Sequence, residues 1–371
     1  MKQGWEIKKL NEVLKIQNGY AFDSKLFTFE EGTPLIRIRD IKEGIGTVTK
    51  FNGKYDKKYE VNAGDFLIGM DGEFGCYEWK GDTALLNQRV CRLQEFGEKL
   101  HSRFLFYGIN KYLKAIEDVT AFATVKHISS KQIENIEIPL PPLPEQQRIV
   151  AILDEAFTSI AKAKSNAEQN LKNSKELFES YLQEVFENKG KGWEEKQFDE
   201  ICVLQRGFDL PTRSRNEGSF PLVSSNGITD RIDLWKVKAP GVVTGRSGTI
   251  GNVHFIEEDY WPLNTALYIK EFHGNYERFV YYFLKQFDLG KYSSGAGVPT
   301  LNRNNVHSVL VWFPKSIKEQ KAIVQKLDAL SAEAKKLEAI YQQKIKDLEE
   351  LKKSVLQKAF SGELKTEKEF A

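Results

Sequence analysis

LPEQQRIVAILD, residues 143–154, returns as IKEQKAIVQKLD at residues 317–328, 174 residues later, with six of the twelve positions identical. The register continues without a gap. Ser180, Leu182, Gln183 and Phe186 fall on Ser354, Leu356, Gln357 and Phe360, so about forty residues are duplicated. An internal repeat of this kind decides the architecture before any local prediction does.

What precedes each copy is duplicated more loosely. GWE at Gly4 returns at Gly192, and Asn18-Gly19-Tyr20 lies opposite Arg206-Gly207-Phe208. TPLIRIRDI from Thr33 lies opposite FPLVSSNGI from Phe220, and GMDGEFG from Gly69 opposite GRSGTIG from Gly245. The chain therefore divides into a first domain at 1–142, a long helix at 143–189, a second domain at 190–316, and a second long helix with a C-terminal tail at 317–371.

Each repeated helix carries an apolar stripe of heptad spacing: Ile149, Leu153, Ala156, Ile160, Ala163 and Ala167, resuming after a polar stretch as Leu177, Tyr181 and Val185. The second copy runs Ile323, Leu327, Leu330, Ala334, Leu337, Tyr341, Leu348, Leu351 and Val355. Such stripes outrun a small domain, so the two helices are expected to pair with each other as an antiparallel coiled coil. Forty helical residues make a rod of about 60 Å, a ruler between the two domains. The second helix opens with Pro314-Lys315-Ser316-Ile317-Lys318 where the first has Leu140-Pro141-Pro142-Leu143-Pro144, so its start is expected to be capped differently.

Within the domains, Ile/Val/Phe-rich runs such as GDFLIGM, LLNQRVCRL, GVVTGRSG and LNTALYIK alternate with Gly, Asn and Asp turns and read as strands. SRFLFYGINKYLKAI from Ser102 and YERFVYYFLKQF from Tyr276 have helical spacing. The fold class is α+β: two similar domains, each mostly β with one or two helices, joined by the two long helices.

Comparing the copies separates scaffold from payload. Pro34, Leu35 and Ile36 match Pro221, Leu222 and Val223, while Arg37, Arg39 and Asp40 give way to Ser224, Asn226 and Gly227. Gly69, Gly72 and Gly75 match Gly245, Gly248 and Gly251, while Met70, Asp71 and Glu73 become Arg246, Ser247 and Thr249. The replaced groups are of the kinds that read base edges. The second domain adds basic residues, Arg206, Arg213, Arg215, Arg231, Lys236 and Lys238. Its loop from Gly295 adds Thr300, Asn302 and Arg303, opposite Thr124, Lys126 and His127 in the first. These residues are the expected nucleic-acid contacts, with phosphates supplying affinity and bases selectivity.

The chain has no phosphate-binding glycine loop of Walker type, no Asn-Pro-Pro-Tyr or Asp-Pro-Pro-Tyr, no Pro-Asp pair, and five histidines without metal-ligand spacing. Binding without catalysis, with no cofactor and no metal, is the expectation. An odd number of cysteines (Cys76, Cys91 and Cys202), no apolar signal core and no membrane-length apolar run point to a cytoplasmic protein.

The two GWE-initiated domains, IPLPPLPEQQRIVAILD with its echo VWFPKSIKEQKAIVQKLD, and the closing LKKSVLQKAFSGEL resemble the specificity (S) subunit of type I restriction-modification systems over nearly the whole chain. The resemblance implies two target-recognition domains, each reading one half of a bipartite double-stranded DNA target. It implies that the helices set the spacing and dock two methyltransferase (M) subunits. Motor-nuclease (R) subunits join the restriction complex, and adenine methylation and ATP-dependent cleavage belong to those partners. Two other assignments share these features: the specificity chain of a related system whose methyltransferase and nuclease are fused, and a coiled-coil scaffold whose domains bind protein.

Overall fold

The computed structural model describes residues 4–120, 126–295 and 299–364. The chain forms two compact units, one of Met1–Ser165 with Ile345–Ala371 and one of Asn166–Lys344. The first therefore draws on both ends of the chain. The boundary crosses both long helices, Leu143–Glu187 and Ile317–Ser361, each of 45 residues.

Each unit is built on an antiparallel sheet of four strands in the same order. In the first this is Lys15–Asn18, Val90–Gln94, Phe66–Gly69 and Gly75–Glu78. In the second it is Val203–Arg206, Ala266–Glu271, Gly241–Gly245 and Val253–Ile256. Alternate residues of a strand face opposite sides. Phe66 and Ile68 meet Phe104, Leu105 and Ile109 of the helix Ser102–Thr120, while Leu67 meets Ile36, Trp79 and Leu86 on the other side. Val242 and Val243 divide in the same way: Val242 shares a core with Phe279 and Phe283 of the helix Glu277–Gln286, and Val243 with Tyr260 and Tyr268.

The side away from the helix carries a second β layer. There Leu35 and Ile36 pair in parallel with Leu85 and Leu86, as Leu222 and Val223 do with Trp261 and Pro262. This layer has five strands in the first unit and three in the second. Gly19 and Gly207 are fixed by close approach: a β-carbon would meet the Asn87 carbonyl oxygen at 2.0 Å, or that of Leu263 at 2.2 Å. The GWE strands pair with the strands that precede the long helices, Glu6–Lys9 with Glu137–Leu140 and Trp193–Gln197 with Leu310–Pro314.

The duplicated helix opening makes one joint twice. Gln146 is fully buried; its Nε2 donates to the carbonyls of Lys99 (2.8 Å) and Pro141 (2.7 Å), and its Oε1 accepts from His101 N (2.8 Å). Gln320, also fully buried, donates to Asn275 Oδ1 (2.9 Å) and Pro314 O (3.0 Å) and accepts from Tyr276 N (2.8 Å). Each amide thus ties the start of a long helix to the segment entering the domain helix. Two turns on, Asp154 accepts from Arg103 Nε (3.0 Å) and Tyr107 OH, and Asp328 accepts from Arg278 Nε (3.1 Å) and Tyr282 OH (2.5 Å). Val150 and Leu153, like Val324 and Leu327, fill the core beneath. The altered second opening is accommodated by Ser316, whose carbonyl accepts Gln320 N (3.0 Å) and whose Oγ accepts Glu319 N (3.5 Å).

The helices pair antiparallel within each unit. In the first, Lys164 bridges to Glu349 at 2.6 Å, and Lys352 Nζ stands 5.1 Å from the Phe157 ring centre. In the second, Phe178 and Leu182 share a core with Val324, Leu327 and Ala334. Two positions of the expected stripe are corrected: Leu177 and Leu351 are 58% and 49% exposed. The seam keeps its spacing through Ser174 to Phe178 instead, and buried Ser174 satisfies its hydroxyl on the Asn170 carbonyl at 2.8 Å.

Candidate nucleic-acid interface

Four loops meet at one end of the first unit's sheet, and backbone bonds hold three of them together. Met70 N donates to Arg89 O (2.9 Å), Ile128 N to Met70 O (2.9 Å), and Gly72 N to Lys126 O (3.0 Å). The second unit repeats the frame: Arg246 N donates to Thr265 O (2.9 Å) and Leu301 N to Arg246 O (2.8 Å). Single bridges pair Asp71 with His127 and Ser247 with Thr300. Gly72 and Gly248 both take positive φ, 75° and 84°, which accounts for their persistence between copies.

On this frame the side chains differ. Asp71 accepts from Arg89 Nη1 at 2.5 Å and lies 2.6 Å from His127 Nδ1. The corresponding Ser247, Thr265 and Thr300 carry hydroxyls and no charge. Glu73 bridges exposed to Lys42 at 3.2 Å and so ties in the fourth loop, residues 37–42. Its counterpart Thr249 stands 2.9 Å from Asn226 Oδ1 and 2.8 Å from Ser225 O, joining the turn 224–227. Behind that turn, burial lowers the pKa of His254 below its usual value.

The structure brings together Asp71, Glu73, Lys126 and His127 in the first frame, and Ser224, Asn226, Arg246, Ser247, Thr249 and Thr300 in the second. Several have structural duties. Asp40 accepts Arg37 N at 2.9 Å and shapes the turn from which Arg37 and Arg39 project exposed. Lys126 pairs with Glu117 at 3.4 Å. Ser224 Oγ accepts Asn226 N (3.1 Å), and Asn302 Oδ1 accepts Asn304 N (3.1 Å). Arg206 grips both oxygens of Asp209 (3.0 and 3.1 Å), which also accepts from Asn264 of the frame.

Among the described residues, no hydrogen bond or ion pair draws Arg213 or Arg215 into the frame. Arg213 is exposed, and Arg215 donates through Nε and Nη2 to Leu210 O at 3.1 and 3.0 Å. The basic set is thus smaller than its sequence. Arg231 is taken by both oxygens of Glu258 (2.9 and 2.7 Å), and Lys236 Nζ lies 5.4 Å from the Trp261 ring centre. Arg213, Lys238, Arg246 and Arg303 have no carboxylate partner among the described residues. Thr124 lies outside them.

Sequence reasoning missed Arg89 and Asn264, because LLNQRVCRL and LNTALYIK were read as continuous strands. The polar run Asn87-Gln88-Arg89 breaks the apolar alternation between Leu86 and Val90, and that break was the available signal.

The sequence profile of the type I restriction modification DNA specificity domain matches residues 2–172 and again 190–347. The EcoBI specificity subunit of Escherichia coli, from a type I restriction enzyme, is 30% identical over 411 aligned residues, covering 97% of this chain and 86% of that protein. The MjaVIII specificity subunit of Methanocaldococcus jannaschii is 25% identical over 55% of this chain and 51% of its own length. A chain solved in work on complex assembly and conformational transition of the type I R-M system superposes with a TM-score of 0.76 at 20% identity, covering 98% of this chain and 99% of that one. The HsdS subunit from Thermoanaerobacter tengcongensis gives 0.61 at 17% identity, covering 98% of each chain. At these identities the superpositions speak for the fold.

Proposed function

Because this chain belongs to the specificity subunits of type I restriction-modification systems, we propose that each of its two loop frames reads one half of a bipartite double-stranded DNA target. The chain is a DNA sequence-recognition subunit. The observation that carries the proposal is one hydrogen-bonded frame used twice with its facing side chains replaced: Asp71 by Ser247, Arg89 by Thr265, His127 by Thr300 and Glu73 by Thr249. A fixed backbone with exchangeable donors and acceptors is what two different half-sites require. Exposed Arg37, Arg39, Arg213, Lys238 and Arg303 are suited to phosphates, which fix register without reading sequence.

The long helices set the distance between half-sites and dock two methyltransferase subunits. Glu176, Leu177, Ser180 and Gln183 are exposed, and so are the identical Glu350, Leu351, Ser354 and Gln357. Packing within the chain does not require identity at exposed positions, and one face displayed twice suits two copies of one partner. Methylation of adenine, and cleavage by joined motor-nuclease subunits, are the partners' chemistry.

The test is a genome-wide map of N6-methyladenine in cells co-expressing this chain with its neighbouring methyltransferase gene. Two short defined halves around a fixed gap are expected. A single undivided motif would refute two readers, and a complex that never binds DNA would return the chain to a protein scaffold.

A further inference from the structure

Arg89 occupies an unusual place. It takes φ 71°, a left-handed conformation that non-glycine residues rarely adopt. Neighbouring backbone holds it there: Gln88 N donates to Tyr20 O (2.9 Å), and Arg89 O accepts Met70 N (2.9 Å). Its side chain is nevertheless 56% exposed, and it touches a carboxylate that is 26% exposed and already engaged with His127. Strain of this kind persists where the surroundings over-determine it, and it concentrates at functional sites.

We propose that Arg89, oriented by Asp71 and His127, is the residue through which the first domain recognises a guanine in its half of the target. A guanidinium carries five N–H donors in a planar fork. Asp71 takes one at Nη1 and so fixes the plane, leaving donors for the O6 and N7 acceptors that guanine presents in the major groove. The carboxylate also biases the choice of ligand. A phosphate anion at this guanidinium would meet Asp71 as a like charge, whereas the neutral guanine edge would not. Asp71 and His127 are positioning residues in this scheme. At the corresponding three positions the second domain offers Ser247, Thr265 and Thr300, none of which carries a guanidinium or a carboxylate. The proposal rests on the two-reader function above and deepens it.

The test uses the full chain in complex with its methyltransferase subunits, selecting from a randomised DNA library. Arg89→Ala should lose its preference for guanine at one position of one half-site by about 10–100-fold, with the other half unchanged. Asp71→Asn should weaken the same position by less, a selectivity change that a merely structural role would not produce. In a duplex with 7-deazaguanine at that position, the unmodified protein should lose affinity and Arg89→Ala should lose no more. Arg213→Ala should lower affinity evenly across sequences and flatten the salt slope by about 1. If Arg89→Ala behaves like Arg213→Ala, or leaves the motif intact, the proposal is overturned. If Arg89→Ala fails to fold, Asp71→Asn and the 7-deazaguanine duplex decide. Should the unmodified complex select no split motif, the underlying two-reader function fails first, and the two failures are distinguishable.

Discussion

Around Gln146 and around Gln320 the chain builds the same joint twice, with the same amide, the same Asp–Arg–Tyr cluster two turns on, and the same apolar fill. Around Asp71 and around Ser247 it builds the same backbone frame and then dresses it differently, with an ion-paired cluster in one unit and hydroxyls in the other. At the joints the side chains themselves satisfy buried polar groups, so exchanging them leaves orphaned donors and acceptors. In the frames the bonds common to both copies run from backbone to backbone, so the side chains at Asp71 and Ser247, Arg89 and Thr265, and His127 and Thr300 can differ without breaking them. Identity between copies at buried positions therefore marks side chains that hold structure, and difference on a shared backbone frame marks side chains that face a ligand.

The sharpest way to break that contrast is at the joints. Gln146→Ala or Gln320→Ala strands one buried and one partly buried carbonyl partner and one backbone N–H, and should cost about 3–5 kcal/mol. Urea unfolding followed by hydrogen exchange should place the loss in the unit that holds the altered glutamine. A cost below about 1 kcal/mol would mean that the amides are incidental. A second pair tests how alike the copies are. Phe186 is 7% exposed and packs on Trp193, Phe279 and Phe283 at ring distances of 5.9, 5.4 and 6.0 Å. Its counterpart Phe360 is half-buried against Phe104 at 4.9 Å, over Gly108. Phe186→Ala should cost about 3–5 kcal/mol and Phe360→Ala roughly half as much. Equal costs would show that exposure does not set the difference.

The residues of the joints stand out in the sequence as a repeat, though not as a joint, because a long helix writes its contacts in one contiguous stretch: Gln146, Val150, Leu153 and Asp154 lie within nine residues. The frames were visible only in part. Asp71 and Ser247 surfaced because invariant glycines flank them, but Arg89 comes from another strand end, and its carbonyl bond to Met70 is a tertiary fact. Leu177 was misplaced for a related reason. Ser174 looks like a break in the stripe until its hydroxyl is seen bonded to the Asn170 carbonyl. Several arginines of the second domain suggested a basic surface, yet Arg206 and Arg231 are spent on Asp209 and Glu258, partners that charge counting does not reveal.

The exposed leucines sharpen the contrast from the other side, because they are identical between copies without holding the fold. Replacing Leu177 and Leu351 with Ser should shift the chain's stability by no more than about 0.5 kcal/mol. In a titration with methyltransferase subunits, the double variant should bind at least about tenfold more weakly, and each single variant should lose one of two binding events. Unchanged stoichiometry and affinity would remove these leucines from the docking face. A marked loss of stability would return them to the seam.

The smallest expected effect is one of pH, and it too divides the units. Burial lowers the pKa of both His254 and His307 below the usual histidine value of 6.5, and His307 Nε2 accepts Leu204 N at 3.1 Å, a bond that only the neutral ring can take. As pH falls through about 6.5 the unfolded chain takes up these protons before the folded one does, so stability rises with pH across the window below 6.5 and is fully present above it. Strand pairing puts Tyr77 of the first unit where His254 stands, each opposite an apolar residue of the neighbouring strand, Leu67 and Val243. Glu134 follows buried Ile133 as His307 follows buried Val306. Acidification from about pH 7.5 to 5.5 should therefore loosen hydrogen-exchange protection of strand Val203–Arg206 and its neighbours in the second unit, and His307→Gln should flatten that response. Protection in the second unit that stays constant over the range would show that neither histidine is neutral only in the folded state.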